Sequence, residues 1–220
     1  MRRALVVWGG WEGHEPDRVA AILAGELERE GFGVEISDTL ASFADLERLR
    51  ALDLVVPIWT TGRIGEPELA SLCEVVRGGV GLGGCHGGMG DSFRDAPEFQ
   101  FMVGGQWVAH PGDDGVAYTV RIADREHFVT RGIDDFEVTS EQYYMHVDPS
   151  NRVLATTRFP VADGPHVPNG PVDMPVVWTR LYGEGRVFYC SVGHRAEIVE
   201  QPEVLTIMRR GLLWAARADG

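Results

Sequence analysis

The residues best equipped for chemistry in this 220-residue chain stand in one glycine-rich run, Gly81-Leu82-Gly83-Gly84-Cys85-His86-Gly87-Gly88-Met89-Gly90-Asp91. An apolar segment precedes the run and a helix-like one follows, which predicts a strand breaking into a turn with Cys85 and His86 at the break. Glycines at such a turn admit unusual backbone angles and let a ligand approach the main chain. The plain alternative is a glycine-padded turn with a buried thiol. Two registers compete for the chemistry. Gly83-Gly84-Cys85-His86-Gly87 fits the G-x-C-x-G elbow of a thiol nucleophile, which would serve acyl transfer with backbone amides holding the oxyanion. Gly84-Cys85-His86-Gly87-Gly88 places His86 at the elbow instead.

A cysteine nucleophile needs a histidine base and an orienting carboxylate. Class I glutamine amidotransferases supply them as a late His-x-Glu pair, and this chain has none; its His194 and Glu197 are spaced one residue wider. Four histidines, His14, His86, His110 and His194, adjoin glycine or proline at the ends of predicted elements. Elements that end on one side of a sheet deliver their side chains to one crevice. Three imidazoles with an open fourth position form a catalytic zinc pattern, so His86, His110 and His194 are the expected metal ligands. Without a metal, the same imidazoles can act as acid or base. Glu141, beside Tyr143 and Tyr144, can bind sugar hydroxyls or move a proton; its bland alternative is a solvated position in an alternating strand. Trp8, Trp11, Trp59 and Trp107 are expected along the crevice, where flat rings suit sugar faces, whereas Trp178 and Trp214 read as core. His127 and His146 are assigned structural or solvent roles.

The elements that position these groups alternate in the first half. Ala4–Trp8, Gly33–Ser37, Leu52–Ile58 and Val80–Gly83 predict strands. Helices are predicted at 16–30, 42–50 and 66–77, and the alternation implies a parallel sheet. In the second half, Asp91–Val103 reads as partly helical. Tyr118–Ile122, Phe136–Val147, Val153–Thr157, Val176–Tyr182 and Arg186–Cys190 are strand-like and separated by turns. The proline-rich stretch Pro160–Pro175, which carries His166, predicts an extended surface loop and a candidate lid. Gln201–Ala216 closes as an amphipathic helix.

Composition narrows the function. A chain of this length buries roughly 70–75% of its unfolded surface, enough for a core without disulfides. The 33 Asp plus Glu against 20 basic residues give a net charge of −13, which repels nucleic acid and anionic lipid. No apolar run is long enough to span a bilayer, and no signal peptide is evident, so a cytoplasmic protein with no membrane partner is expected. Cys73, Cys85 and Cys190 are unclustered and read as reduced thiols.

Several motifs act together: Trp8-Gly9-Gly10 with His14, the His86 turn, Val103-Gly104-Gly105-Gln106-Trp107-Val108-Ala109-His110-Pro111, and His127 to Ile133. With them go Phe136 to Tyr144, Pro175 to Arg180 and Gly183 to Tyr189. Jointly, over Leu5 to Leu213, they resemble the ThuA-like (trehalose utilisation) family of the class I glutamine amidotransferase-like superfamily. That family carries Gly-(apolar)-His-Gly at the turn, so the resemblance assigns the elbow to His86 and leaves Cys85 as a small packing residue. The fold it implies is an α/β, flavodoxin-like three-layer sandwich with a mostly parallel central sheet and antiparallel additions in the second half. Residues 1–220 would form a single domain. The implied role is carbohydrate metabolism, with an enzyme that hydrolyses, eliminates or isomerises a disaccharide or keto-sugar. The expected catalytic residues are His86, His110, Glu141 and Tyr143. Trp8, Gly9, Gly10, His14, Gly87, Trp107 and Tyr144 are expected to touch substrate. A divalent metal such as zinc on His86, His110 and His194 is the expected cofactor, with no nucleotide. The expected partners are a small-molecule sugar and further copies of the chain. Two alternatives stand beside this reading: a Cys85-dependent amidotransferase or hydrolase, and a non-catalytic sugar-binding or regulatory domain.

Overall fold

Along β1 (Arg3–Gly10), Ala4 and Val6 enter one apolar core while Leu5 and Val7 enter another. Successive side chains of a strand point to opposite faces, so a continuous apolar run demands cover on both. The computed structural model describes residues 1–219. After β1 come α1 (Pro16–Arg29), β2 (Gly33–Ser37), α2 (Leu46–Arg50), β3 (Leu54–Thr60), α3 (Glu66–Arg77), β4 (Gly81–Cys85), the single-turn α4 (Gly87–Gly90) and α5 (Pro97–Val103). The second half holds β5 (Gly105–Ala109), β6 (Val116–Ile122), β7 (Phe136–Ser140), β8 (Tyr144–Val147), β9 (Arg152–Phe159), β10 (Val172–Tyr182), β11 (Gly185–Cys190), α6 (Ala196–Val199) and α7 (Pro202–Ala215).

Nine strands form one mixed sheet in the order β2-β1-β3-β4-β11-β10-β9-β6-β7, and β5 pairs with β8 in a separate ribbon. The first five are parallel, and β10, β9, β6 and β7 follow as antiparallel neighbours. Leu23 and Leu27 of α1 share a core with Ile207, Met208 and Leu212 of α7. Leu72 and Val76 of α3 share the other with Phe99 and Met102 of α5. Pro16, Pro67, Pro97 and Pro202 each stand in a first helical turn, where a missing N–H costs no bond. Because β1, β3, β4 and β11 run the same way, their carboxyl ends leave the sheet at one edge. His14 follows β1, Thr60 ends β3, His86 follows β4 and His194 follows β11.

The expected strand Phe136–Val147 is two strands. β7 pairs with β6 in the large sheet and β8 pairs with β5 in the ribbon, leaving Glu141-Gln142-Tyr143 as the break. Gln142 pins this break by donating through Nε2 to Thr157 Oγ1 at 2.8 Å and the Arg158 carbonyl at 3.1 Å. β10 starts at Val172 and pairs with Phe159, so the proline-rich connection is shorter than expected, residues 160–171. The helix expected from Ser42 begins at Leu46, because the Asp45 carboxylate accepts from the Arg48 amide at 3.0 Å and caps it there. β5 was not expected as a strand; it lies half-buried in a two-stranded ribbon and lacks a clean alternation. Among the described residues no helix is long and apolar enough to cross a membrane.

Candidate metal centre

His86 adopts φ 51° and ψ −137°, a conformation that an L-residue holds only under constraint. Three hydrogen bonds supply it. The His86 amide donates to the Cys190 carbonyl at 2.7 Å, and its own carbonyl accepts from the Gly90 amide at 2.8 Å and the Tyr189 hydroxyl at 2.9 Å. The strained elbow residue is therefore the histidine. Cys85 is the last residue of β4, 2% exposed and packed in the core beside Gly193. Burial pushes its thiol far above the ordinary range, which removes the thiolate that a nucleophilic role requires. Cys190 is likewise pushed up to about 12 by burial.

Four side chains converge beyond the elbow. His14, His86, Glu141 and His194 each offer a ligand atom, and these atoms all lie within 4.8 Å of one another. Glu141 Oε2 is the hub, 3.0 Å from His86 Nε2, 3.2 Å from His194 Nδ1 and 3.9 Å from His14 Nε2. The group is enclosed: His86 and His194 are 2% exposed, Glu141 6% and His14 8%. On two rings the outward nitrogen meets an oxygen at hydrogen-bonding distance. His14 Nδ1 lies 2.8 Å from the Thr60 hydroxyl, and His86 Nδ1 lies 2.8 Å from the Ser191 carbonyl. His194 Nε2 is 3.6 Å from Asp114 Oδ2. Gly87 makes the approach of His14 feasible, since a β-carbon there would stand 2.7 Å from both the His14 ring and the Thr60 hydroxyl.

Both ring nitrogens of His86 face oxygens that accept. The Ser191 carbonyl only accepts, so Nδ1 must carry the hydrogen. Burial pushes the His86 pKa down, against the pull of Glu141. A protonated Nε2 makes the 3.0 Å contact a charge-assisted hydrogen bond, whereas a neutral ring turns its lone pair toward the carboxylate and leaves room for a cation between them. Burial opposes ionisation of Glu141, but contacts with His14, His194 and His86 outweigh it and hold the carboxyl well below its usual range. Both nitrogens of buried His194 lack a hydrogen-bond partner, although Nδ1 is close to Glu141. Three imidazoles and a carboxylate in one buried group, two rings held from behind by Thr60 and Ser191 and the third with unpartnered nitrogens, form a donor set that could hold a metal ion. Tetrahedral zinc bonds of about 2.0–2.1 Å put neighbouring ligand atoms roughly 3.3–3.4 Å apart; the 3.2 Å contact of His194 lies close to that, the 3.0 Å contact of His86 is shorter and the 3.9 Å contact of His14 longer.

The geometry revises the expected roles. His14, expected to touch substrate, and Glu141, expected to exchange a proton, join His86 and His194 in the donor group. His110, expected as the third imidazole ligand, stands outside it: its Nε2 is 3.9 Å from the other carboxylate oxygen, Oε1, and its side chain is 29% exposed. Its ring stacks on Trp107, with centroids 5.3 Å apart. Trp107 is also approached by the Arg94 guanidinium, 5.2 Å from its ring centre. Tyr143 stacks on His86 at 3.9 Å, and burial holds its phenol well above the ordinary 10, in the protonated form. Tyr144 packs edge-on against Phe159 and His166. Trp8 packs against the core of α1 and α7. Gly9 and Gly10 press on Trp59 and Thr60 at the end of β3. Thr60, Ser191 and Asp114 escaped the sequence reading; Thr60 and Ser191 had a usable signal, since each lies within two residues of the end of an expected strand, Leu52–Ile58 and Arg186–Cys190.

The profile of the ThuA family, described as trehalose utilisation, matches residues 3–215. The chain belongs to this family. No curated protein matches it by sequence. Among solved structures, a ThuA-like protein from Bacteroides uniformis superposes with a TM-score of 0.78 at 18% identity, covering 97% of this chain and 91% of that one. A ThuA-like protein from Parabacteroides merdae gives 0.74 at 20% identity, covering 98% and 90%. A protein from Salmonella typhimurium described as cytoplasmic gives 0.67 at 14%, covering 98% of each. At these identities the likeness to solved structures is one of fold.

Proposed function

We propose that this ThuA protein is a metal-dependent enzyme of carbohydrate metabolism that acts on a disaccharide or keto-sugar. The observation that carries this reading is the buried donor group of His14, His86, Glu141 and His194. These residues would hold the ion, with zinc the best match to three imidazoles and one carboxylate. When bound, a divalent ion supplies Lewis-acid polarisation of a sugar carbonyl or hydroxyl. His110 is the acid or base, because its imidazole stands at the rim and is partly open to solvent. Trp107 and Tyr143 fix the plane of that ring, and the protonated Tyr143 serves as a hydrogen-bond donor. Glu141, held ionised, neutralises charge rather than carrying a proton. A cytoplasmic setting suits the three free thiols, and helices on both faces of the sheet support the flavodoxin-like three-layer assignment.

The enclosure of the four donors favours a second reading, a structural metal in a sugar-binding domain without turnover. Elemental analysis of protein purified without added metal, joined to a turnover screen of trehalose, other disaccharides and their 3-keto forms, separates the two. The enzyme reading expects about one divalent ion per chain and turnover that a chelator abolishes and metal restores. Bound metal with no turnover favours the second reading, and metal-free protein with full turnover sinks both.

A further inference from the structure

Trp11 is the anomaly of the centre: an indole 52% exposed directly beside a buried donor. Tryptophan is rarely left open to water without a use, since its ring is among the largest apolar surfaces a side chain can bury. Yet Trp11 is held in place. Its amide donates to the Thr60 carbonyl at 3.2 Å, which ties it to the end of β3. Its ring meets the His14 imidazole edge to face, with centroids 4.7 Å apart and planes at 76°. Gly13 leaves room for it, because a β-carbon there would stand 2.5 Å from the indole. A fixed ring with an exposed surface has already met the entropic cost of ordering that a binding partner would otherwise impose.

The other aromatic rings near the centre are engaged. Trp107 contacts Arg94 and His110, Tyr143 lies on His86, Tyr144 packs on Phe159, and Trp59 presses on Gly9. One imidazole, that of His14, separates Trp11 from Glu141 Oε2. We propose that Trp11 is the stacking platform that selects cyclic sugars beside this centre, receiving the C–H face of the ring. This assignment rests on the carbohydrate reading above. A cyclic sugar has an apolar face to lay on an indole, and an acyclic polyol with the same hydroxyls has none.

The test is calorimetric binding of trehalose, with mannitol as the acyclic control, to metal-loaded wild type, Trp11→Ala, Trp11→Phe and Gly13→Ala, with metal content measured for each. Trehalose binding is expected to weaken about tenfold in Trp11→Ala, equivalent to about 1.4 kcal/mol. It should stay within about threefold of wild type in Trp11→Phe and fall between the two in Gly13→Ala. Mannitol should bind more weakly than trehalose to wild type and gain nothing from the indole. Equal trehalose affinity in wild type and Trp11→Ala overturns the platform and leaves the carbohydrate reading standing. No trehalose binding to wild type overturns the platform, and no binding of any disaccharide or keto-sugar of the screen above overturns the carbohydrate reading as well. Loss of metal in Trp11→Ala also overturns the platform, since the indole would then be acting by holding His14.

Discussion

The two edges of the parallel sheet are built on opposite principles. At the carboxyl edge, buried imidazoles and a carboxylate crowd together with nitrogens that have no partner in the protein. At the amino edge of β11 lies a cavity of about 790 Å³, lined by Arg152, Thr179, Arg186, Trp214 and Arg217 among others. Each of its arginines has a partner: Arg152 pairs with Asp124 through two bonds of 3.0 and 2.8 Å, Arg186 pairs with Asp219 at 2.9 Å and donates to the Trp214 carbonyl at 3.0 Å, and Arg180 pairs with Asp148 at 3.1 Å, although its Nε is unpartnered. Arg217 donates to the Glu184 carbonyl. In the roomier cavity every cation is thus paired with a carboxylate or carbonyl, while the tightly closed cluster gathers three imidazoles on a single carboxylate and leaves both nitrogens of His194 without a hydrogen bond. Space alone does not mark a reactive site; unmet buried donors and acceptors do, because leaving them unmet is costly unless a ligand completes them.

The largest expected effect follows from removing the hub of the unmet edge. Glu141→Gln keeps the shape of the side chain but replaces the charge around which three imidazoles gather. Metal content should fall well below one per chain and turnover should drop by about 10³ or more, as for a group without which the site does not assemble. Elemental analysis and steady-state kinetics of the same preparation measure both. Metal and turnover within threefold of wild type would erase the contrast between the edges.

A smaller effect sharpens the comparison by moving one step outward. Thr60→Val removes the hydroxyl 2.8 Å from His14 Nδ1 at nearly constant volume. Partners that orient a ligating imidazole contribute about 10–100-fold to metal affinity, so competition against a chromophoric chelator should show a loss in that range. His86 permits no matching substitution, because its partner is the Ser191 main-chain carbonyl. Unchanged affinity in Thr60→Val would mean that His14 is placed by packing alone.

Much of the parallel half was legible because its grammar is local. Apolar runs ending in glycine mark β1 and β4, and histidines beside glycine mark where those runs stop; parallel pairing then gathers His14, His86 and His194 at one edge. Which nitrogens face inward was not legible. That depends on the Thr60 hydroxyl and the Ser191 carbonyl, contacts that join residues 46 and 105 positions apart. The antiparallel half hid more. Residues 136–147 alternate well enough to read as one strand, whereas the break at 141–143 turns Glu141 inward, held by Gln142 reaching Thr157 and Arg158. His110 looked equal to the other imidazoles by sequence, since Pro111 marks an element end as well as glycine does. Its position differs because it follows β5 of the separate ribbon rather than a strand of the large sheet. Cys85 carried an elbow motif that the backbone assigns to its neighbour, since the strained angles belong to His86.

The smallest effect is expected at the satisfied edge. Arg152→Ala deletes one partner of the Asp124 pair, but Asp124 also accepts from the amides of Glu126 and His127, each at 3.1 Å. With the Arg152 side chain 62% exposed, the pair belongs with surface ion pairs, which contribute about 0–1 kcal/mol. Thermal denaturation of Arg152→Ala should therefore show a loss of no more than about 1 kcal/mol. Metal content and turnover should match wild type, because no contact of Arg152 reaches the carboxyl edge. A larger loss of stability would show that Asp124 depends on the guanidinium despite its two amides. A loss of metal or turnover would be the more damaging result, since it would require the two edges to be energetically coupled through the sheet.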